Sequence, residues 1–403
     1  IPTAEWQALQ DLFNSTNGES WHWRQATTDI PWNFTSSSNN PCTNHWQGVT
    51  CNRLPPYFVE QLVLSAYNLS GTLPSSLSAF SRINLLDLSH NKIGGTMPPS
   101  VGDLVTLQDL YLDNNQLTGF IPSSLGLLSQ VQRMHLGSNL LHGPIPSSVG
   151  NMTALRWLTL NYLNLNGTIP ASFSQLTNLT NLEIAYQNDQ DGPGLSGHID
   201  CLSTLYNLTT LSLEYNSFNG TVPAAFGNLT RLTSLDLDHN FFTGALPPSL
   251  GQLTNLISFY IDHNYLSGHI PPLFGNMTRL KDLYVYANHL SGPIPDSLGN
   301  LAELVVLDIN GNRVTGTIPE SIANCSKLYT FVANNNKMHG TIPAFFGTFH
   351  RLGNLFIGQN QFTGTIPPEL GDLRNLEYLG LYQNQLHGVI PESLGHSRFL
   401  NTL

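Results

Sequence analysis

The sequence predicts an α/β solenoid of stacked coils with short parallel strands, and three observations carry that expectation. A 24-residue phrase, LTSLDLDHNFFTGALPPSLGQLTN at 232–255, recurs at a constant step along nearly the whole chain, and self-similarity at such a period marks a repeat architecture. Within the phrase, Leu232, Leu235 and Leu237 are interleaved with Asp236 and Asp238, the period-two pattern of a short strand with one buried face. Charged residues make up only 10% of the chain, far below the roughly 25% of an ordinary globular domain. A compact core of 403 residues would divide into domains. Stacked coils escape that limit, because each buries its leucines against the next.

Each remaining position of the phrase has a physical reason. Asn240 ends the strand, and an inward-pointing Asn can bond the backbone of adjoining turns; repeated in every coil it forms a ladder that satisfies buried polar groups. Gly244 permits a turn with positive φ. Pro247 sets an extended segment that cannot continue a helix.

Residues 1–57 do not fit the repeat and read as an N-terminal cap. In AEWQALQDLFNST, Trp6, Leu9, Leu12 and Phe13 have helical spacing, and Asn17-Gly18 stops the helix. Trp21, Trp23, Trp32 and Trp46 follow as cap core, covering the leucines and open strand edge of the first coil. Cys42 and Cys51, in the turn-rich PCTNHWQGVTC, read as a disulfide, which places the chain in an oxidising compartment.

The array occupies residues 58–403. With the Asn position as marker, coils fall at 67, 91, 115, 139, 163, 187, 216, 240, 264, 288, 312, 336, 360 and 384, which makes fourteen, and a partial fifteenth begins at Leu400. Tyr67, Leu163 and Gln187 replace the Asn. One insertion, at 188–194, interrupts the spacing, and Asp200 then stands where the proline is usual. Cys201 and Cys325 are five repeats apart, too far to bridge at about 4.8 Å per strand, and are read as buried free thiols. An open final coil invites stacking on another molecule, so self-association at the C-terminal end is one expectation.

The phrases NQLTGFIPSSLGLL, NYLSGHIPPLFGNM and NQFTGTIPPELGDL, with PCTNHWQGVTC, resemble the plant-type extracellular leucine-rich repeats. Those occur in receptor-kinase ectodomains, receptor-like proteins and polygalacturonase-inhibiting proteins; the opening ALQDLFNSTNGESW also looks like caps of algal and protist relatives. The resemblance implies a right-handed superhelix with its strands on the concave side, and ligands bound on the inner or lateral face.

Outward-facing strand positions can be read from the marker. Acidic and aromatic residues concentrate there between coils 6 and 10: Glu183, Tyr186, Glu214, Tyr215, Asp236, Asp238, His239, Tyr260, Asp262, His263, Tyr284 and Tyr286. Neighbouring strands bring such side chains about 5 Å apart. Exposed Tyr with Asp, Glu and His is the composition of a recognition surface for a protein, peptide or glycan. A cation among Asp236, Asp238, Asp262, His239 and His263 is weighed against a solvated polar face, as is the calcium-loop fragment Asp189-x-Asp191-Gly192; no metal or cofactor is assigned.

The formal net charge of −11 argues against nucleic acid and anionic membrane as partners, and no apolar run spans a membrane. No nucleophile elbow, phosphate loop or zinc-protease motif occurs, so no catalysis is expected. Sequons stand at Asn14, Asn33, Asn68, Asn151, Asn166, Asn178, Asn207, Asn219, Asn228, Asn276 and Asn324. The reading is a secreted or cell-surface glycoprotein that binds a macromolecule through its concave face, as a receptor ectodomain or a secreted binder. The alternative is a cell-wall or filament component assembled end to end.

Overall fold

Strands of three residues, one per coil, are the skeleton of this computed structural model, which describes residues 1–25, 27–35, 39–187, 194–396 and 400. The chain divides into two units, Ile1–Gly197 and His198–Leu403.

The N-terminal unit begins with helix α1, Thr3–Ser15, whose buried stripe is Glu5, Ala8, Leu9 and Leu12. Trp6 and Phe13 lie half-buried at the side of that stripe, against Phe34 at 5.3 and 5.4 Å between ring centroids. The left-handed Asn17 ends the helical run, with φ 58°. Trp21, Trp32 and Trp46 are buried, and two of their ring edges are satisfied: Trp21 donates to the Thr16 carbonyl at 3.0 Å and Trp32 to that of Gln47 at 2.8 Å, while the Trp46 indole nitrogen is buried without a hydrogen-bond partner. The expected cap core is therefore present, and Cys42 and Cys51 are bonded within it.

That cap also closes the sheet. Val49–Cys51 pairs antiparallel with Val59–Val63, and parallel strands follow at Leu85–Asp87, Asp109–Tyr111, Arg133–His135, Trp157–Thr159 and Asn181–Glu183. Glu5 is the unforeseen part. Its buried carboxylate accepts the Val59 N–H at 2.9 Å, giving the first full strand a partner from α1. Burial raises the Glu5 pKa, and this backbone bond opposes the shift.

The C-terminal unit carries Thr210–Ser212, Ser234–Asp236, Ser258–Tyr260, Asp282–Tyr284, Val306–Asp308, Thr330–Val332, Asn354–Phe356 and Tyr378–Gly380, all parallel and one coil apart in register. The coil 232–255 shows why. Leu232, Leu235, Leu237, Phe242, Leu246, Leu250 and Leu253 are buried, each such side chain contributing about 1.5–3 kcal/mol. Asn240 donates to the carbonyls of Leu213, Leu237 and Asp238 and accepts the Phe218 N–H, joining two coils through one side chain. Gln187 does the same work at its marker, donating to Leu160 and Ala185 carbonyls and accepting the Leu165 N–H. Gly244 has φ 77°, as the turn requires.

Opposite the strands, Pro247 leads into the one-turn 3-10 helix Pro248–Gln252, and equivalent helices repeat along the stack. A serine in several of them bonds the carbonyl of the coil before, as Ser249 does to Ala224 at 2.6 Å. One expectation needs correction: Cys325 is buried, but Cys201 is half-exposed in the 3-10 helix Asp200–Thr204. Both thiols are free, and burial pushes that of Cys325 up to about 11. The insertion at 188–194 lies outside the described residues except for Gly194, as does the fifteenth repeat except for Leu400. Among the described residues no helix is long and apolar enough to cross a membrane.

Candidate functional site

Three positions in each coil carry the face that the strands turn away from the leucines: four, two and one before the marker. The last of these is left-handed in coil after coil. In the C-terminal unit Tyr215, His239 and His263 hold φ 53°, 47° and 48°, a conformation uncommon for non-glycine residues and least so for Asn, Asp and His. The shared backbone state stacks their rings. His239 lies 4.0 Å from Tyr215 and 3.9 Å from His263, with interplanar angles of 10° and 24°. Tyr286 meets the edge of His263 at 4.9 Å.

Beside this column runs an acidic row. Burial first, then repulsion from Glu214 and Asp238, pushes the Asp236 carboxyl up to about 8. Asp238 is pushed up to about 7 by burial and by Asp262, and Asp308 to about 6, chiefly by burial. Glu214 accepts the Ser212 hydroxyl at 2.5 Å. Asp262 departs most from expectation. Placed on the exposed surface by its spacing, it is only 2% exposed, and its carboxylate is engaged by His263 Nδ1 at 2.9 Å and by the Tyr286 hydroxyl, whose pKa burial and Asp262 together raise. Tyr260 and Tyr284 are half-buried, packed at 5.1 Å between centroids. This part of the strand face is thus a half-buried polar floor, with Tyr215 and His263 standing exposed above it.

Of the twelve residues singled out from sequence, Glu183 and Tyr186 belong to the N-terminal unit and the other ten to the C-terminal unit. Glu183 accepts from Asn161 at 3.3 Å, and Tyr186 stacks on Tyr162 at 4.4 Å. The same unit carries a row that spacing from the marker alone did not assemble, Tyr111–His135–Trp157, with centroids 4.9 and 5.0 Å apart. In the C-terminal unit the missed row is Phe241–Tyr265–His289, one residue after each Asn; Phe241 and Tyr265 are 44% and 50% exposed. A count of exposed aromatics at every repeat position would have found it.

Nine sequon asparagines are exposed, while Asn68 and Asn207 are half-buried. Asn151, Asn228, Asn276 and Asn324 each close a 3-10 helix, opposite the strands. Asp189, Asp191 and Gly192, the calcium-loop fragment, lie outside the described residues.

Comparison with known proteins gives this geometry a context. The chain matches the family described as leucine-rich repeat region over residues 74–220 and 194–310, more than half of its length, and single leucine-rich repeats at 303–325 and 375–397. It is 32% identical to the plant peptide hormone receptor RGFR1, solved in complex with RGF2, with a TM-score of 0.77 over 85% of this chain and 58% of that one. To a TDR receptor it is 29% identical, with a TM-score of 0.73 over 85% of this chain and 67% of the receptor. A leucine-rich repeat protein of Leptospira interrogans is 26% identical at a TM-score of 0.66 over 83% and 82% of the two chains. A protein of Arabidopsis thaliana described as a probably inactive leucine-rich repeat receptor-like protein kinase is 38% identical over 58 residues, 14% of this chain and 6% of that protein. The chain therefore spans little more than half of RGFR1 and a small part of the Arabidopsis protein.

Proposed function

The chain belongs to the leucine-rich repeat family, and from that premise we propose that it is an extracellular, non-enzymatic recognition protein whose strand face at coils 7 to 10 binds an extended peptide. It serves as a receptor ectodomain or as a secreted binder. One observation supports this above the others: aromatic and histidine side chains are held in a left-handed backbone state and stacked above half-buried carboxylates. The left-handed state belongs to the repeat, recurring at Ala66, Asn114 and Gln383 among others, and what sets these coils apart is the rings it carries and stacks. An open row of this sort gathers contact along an extended chain, with rigid aromatic groups as anchors. Catalysis calls for a closed, water-excluding site, which is a different geometry.

The similarity to a plant peptide hormone receptor in complex with its hormone supports a peptide over a glycan as the ligand class. The acidic floor adds a preference for a basic side chain or terminal amine. An N-terminal cap at 1–57 and a repeat array at 58–403 remain our division of the chain, and glycans at the 3-10 helix ends would leave the strand face clear.

The test uses the glycosylated chain as bait for a random-peptide display library. Selected peptides should bind the Tyr260→Ala/Tyr284→Ala variant at least about 10-fold more weakly, with unchanged circular dichroism. Equal affinity for the variant would remove the strand face from the proposal.

A further inference from the structure

Two imidazoles and a carboxylate from adjacent coils meet in the middle of the strand face. His239 and His263 occupy the same left-handed position one coil apart, which brings their rings to 3.9 Å. Asp262 joins them through His263 Nδ1. One ligand atom from each of His239, Asp262 and His263 lies within 4.8 Å of the other two. Around a bound Zn²⁺ such donors stand roughly 3–3.5 Å apart.

A second observation concerns the His239 ring. Its Nδ1 is paired with Asp238 Oδ1 at 3.3 Å, both atoms sealed from solvent. A metal-ligating histidine ordinarily has its other ring nitrogen held by a carboxylate in this way.

We propose that His239, Asp262 and His263 form a binding site for a borderline divalent transition-metal ion, the class of Zn²⁺. Two nitrogen donors disfavour Ca²⁺ and Mg²⁺, which take oxygen ligands. Three protein ligands leave an open coordination position on the metal. This inference stands apart from peptide binding, since the ion is tested without any peptide.

The chain is stripped with a chelator and titrated with Zn²⁺ by calorimetry; Co²⁺ is then substituted and its visible absorption recorded. One ion should bind per chain, with Co²⁺ bands of low-coordinate, nitrogen-ligated metal. His239→Gln and His263→Gln should each weaken binding by at least about 10-fold and remove those bands, while His289→Gln, one coil away, should change neither. Asp262→Asn should act likewise, and because that side chain is buried the two histidine variants decide the matter if it fails to fold. Absence of saturable binding, or undiminished one-to-one binding by the His239→Gln/His263→Gln double variant, would overturn the site.

Discussion

At the scale of single residues, the chain is held by side chains that act on the coil next door. Asn240→Ala would remove three donated bonds and strand the Phe218 N–H, with buried partners left unpaired. Each such loss costs about 1–3 kcal/mol, so the variant should lose about 2–4 kcal/mol in denaturant unfolding; a loss below about 0.5 kcal/mol would contradict the ladder. Titration gives a second prediction. Asp236 and Asp308 have folded-state pKa values of about 8 and about 6 against an ordinary 3.8, so the native state holds their protons more tightly. Between pH 4 and about 8 these two carboxyls bind more protons in the folded chain than in the unfolded one, and their contribution to stability falls as pH rises through that window. Melting temperature in metal-free buffer should therefore drop from pH 5 to 9, and Asp236→Asn should lessen the drop; an identical pH profile would refute the assignment. The Asn ladder could be read from its 24-residue step, because a period announces which residues share a position. The burial of Asp262 could not, since it depends on Tyr286 reaching back from the following coil.

At the scale of elements, close approach on the 3-10 side dictates composition. A Cβ on Gly251 would run into the Leu273 carbonyl of the next helix. Gly251→Ala should consequently destabilise the chain by about 1–3 kcal/mol, and a neutral effect in thermal unfolding would count against this packing. The cap is tied down by the Cys42–Cys51 bond. Replacing both by Ser should cost about 2–4 kcal/mol and expose the tryptophan cluster to fluorescence quenching, whereas unchanged quenching would mean that the aromatic core suffices alone. Helix α1, the tryptophans and the disulfide were legible from spacing and residue type. The bond from Glu5 to Val59 was not, because the partners are 54 residues apart and Glu5 falls among the polar residues that an amphipathic pattern assigns to solvent.

At the scale of the whole molecule, the repeat separates what is variable from what is constant. Leucines, the Asn ladder and the 3-10 turns recur with little change, whereas the strand face of the C-terminal unit differs from coil to coil, with Tyr, His and Asp at positions outside the leucine core. Sequons at Asn151, Asn228, Asn276 and Asn324 lie on the side away from that face. The measurement that tests this division most directly is photo-crosslinking: a library-selected peptide carrying a photoreactive residue is bound to the glycosylated chain, irradiated, and mapped by mass spectrometry. Crosslinks should fall on strand-face residues between Glu214 and Tyr286, such as Tyr215, Tyr260 and Tyr284. Crosslinks confined to the 3-10 helices or to the N-terminal cap would contradict the account.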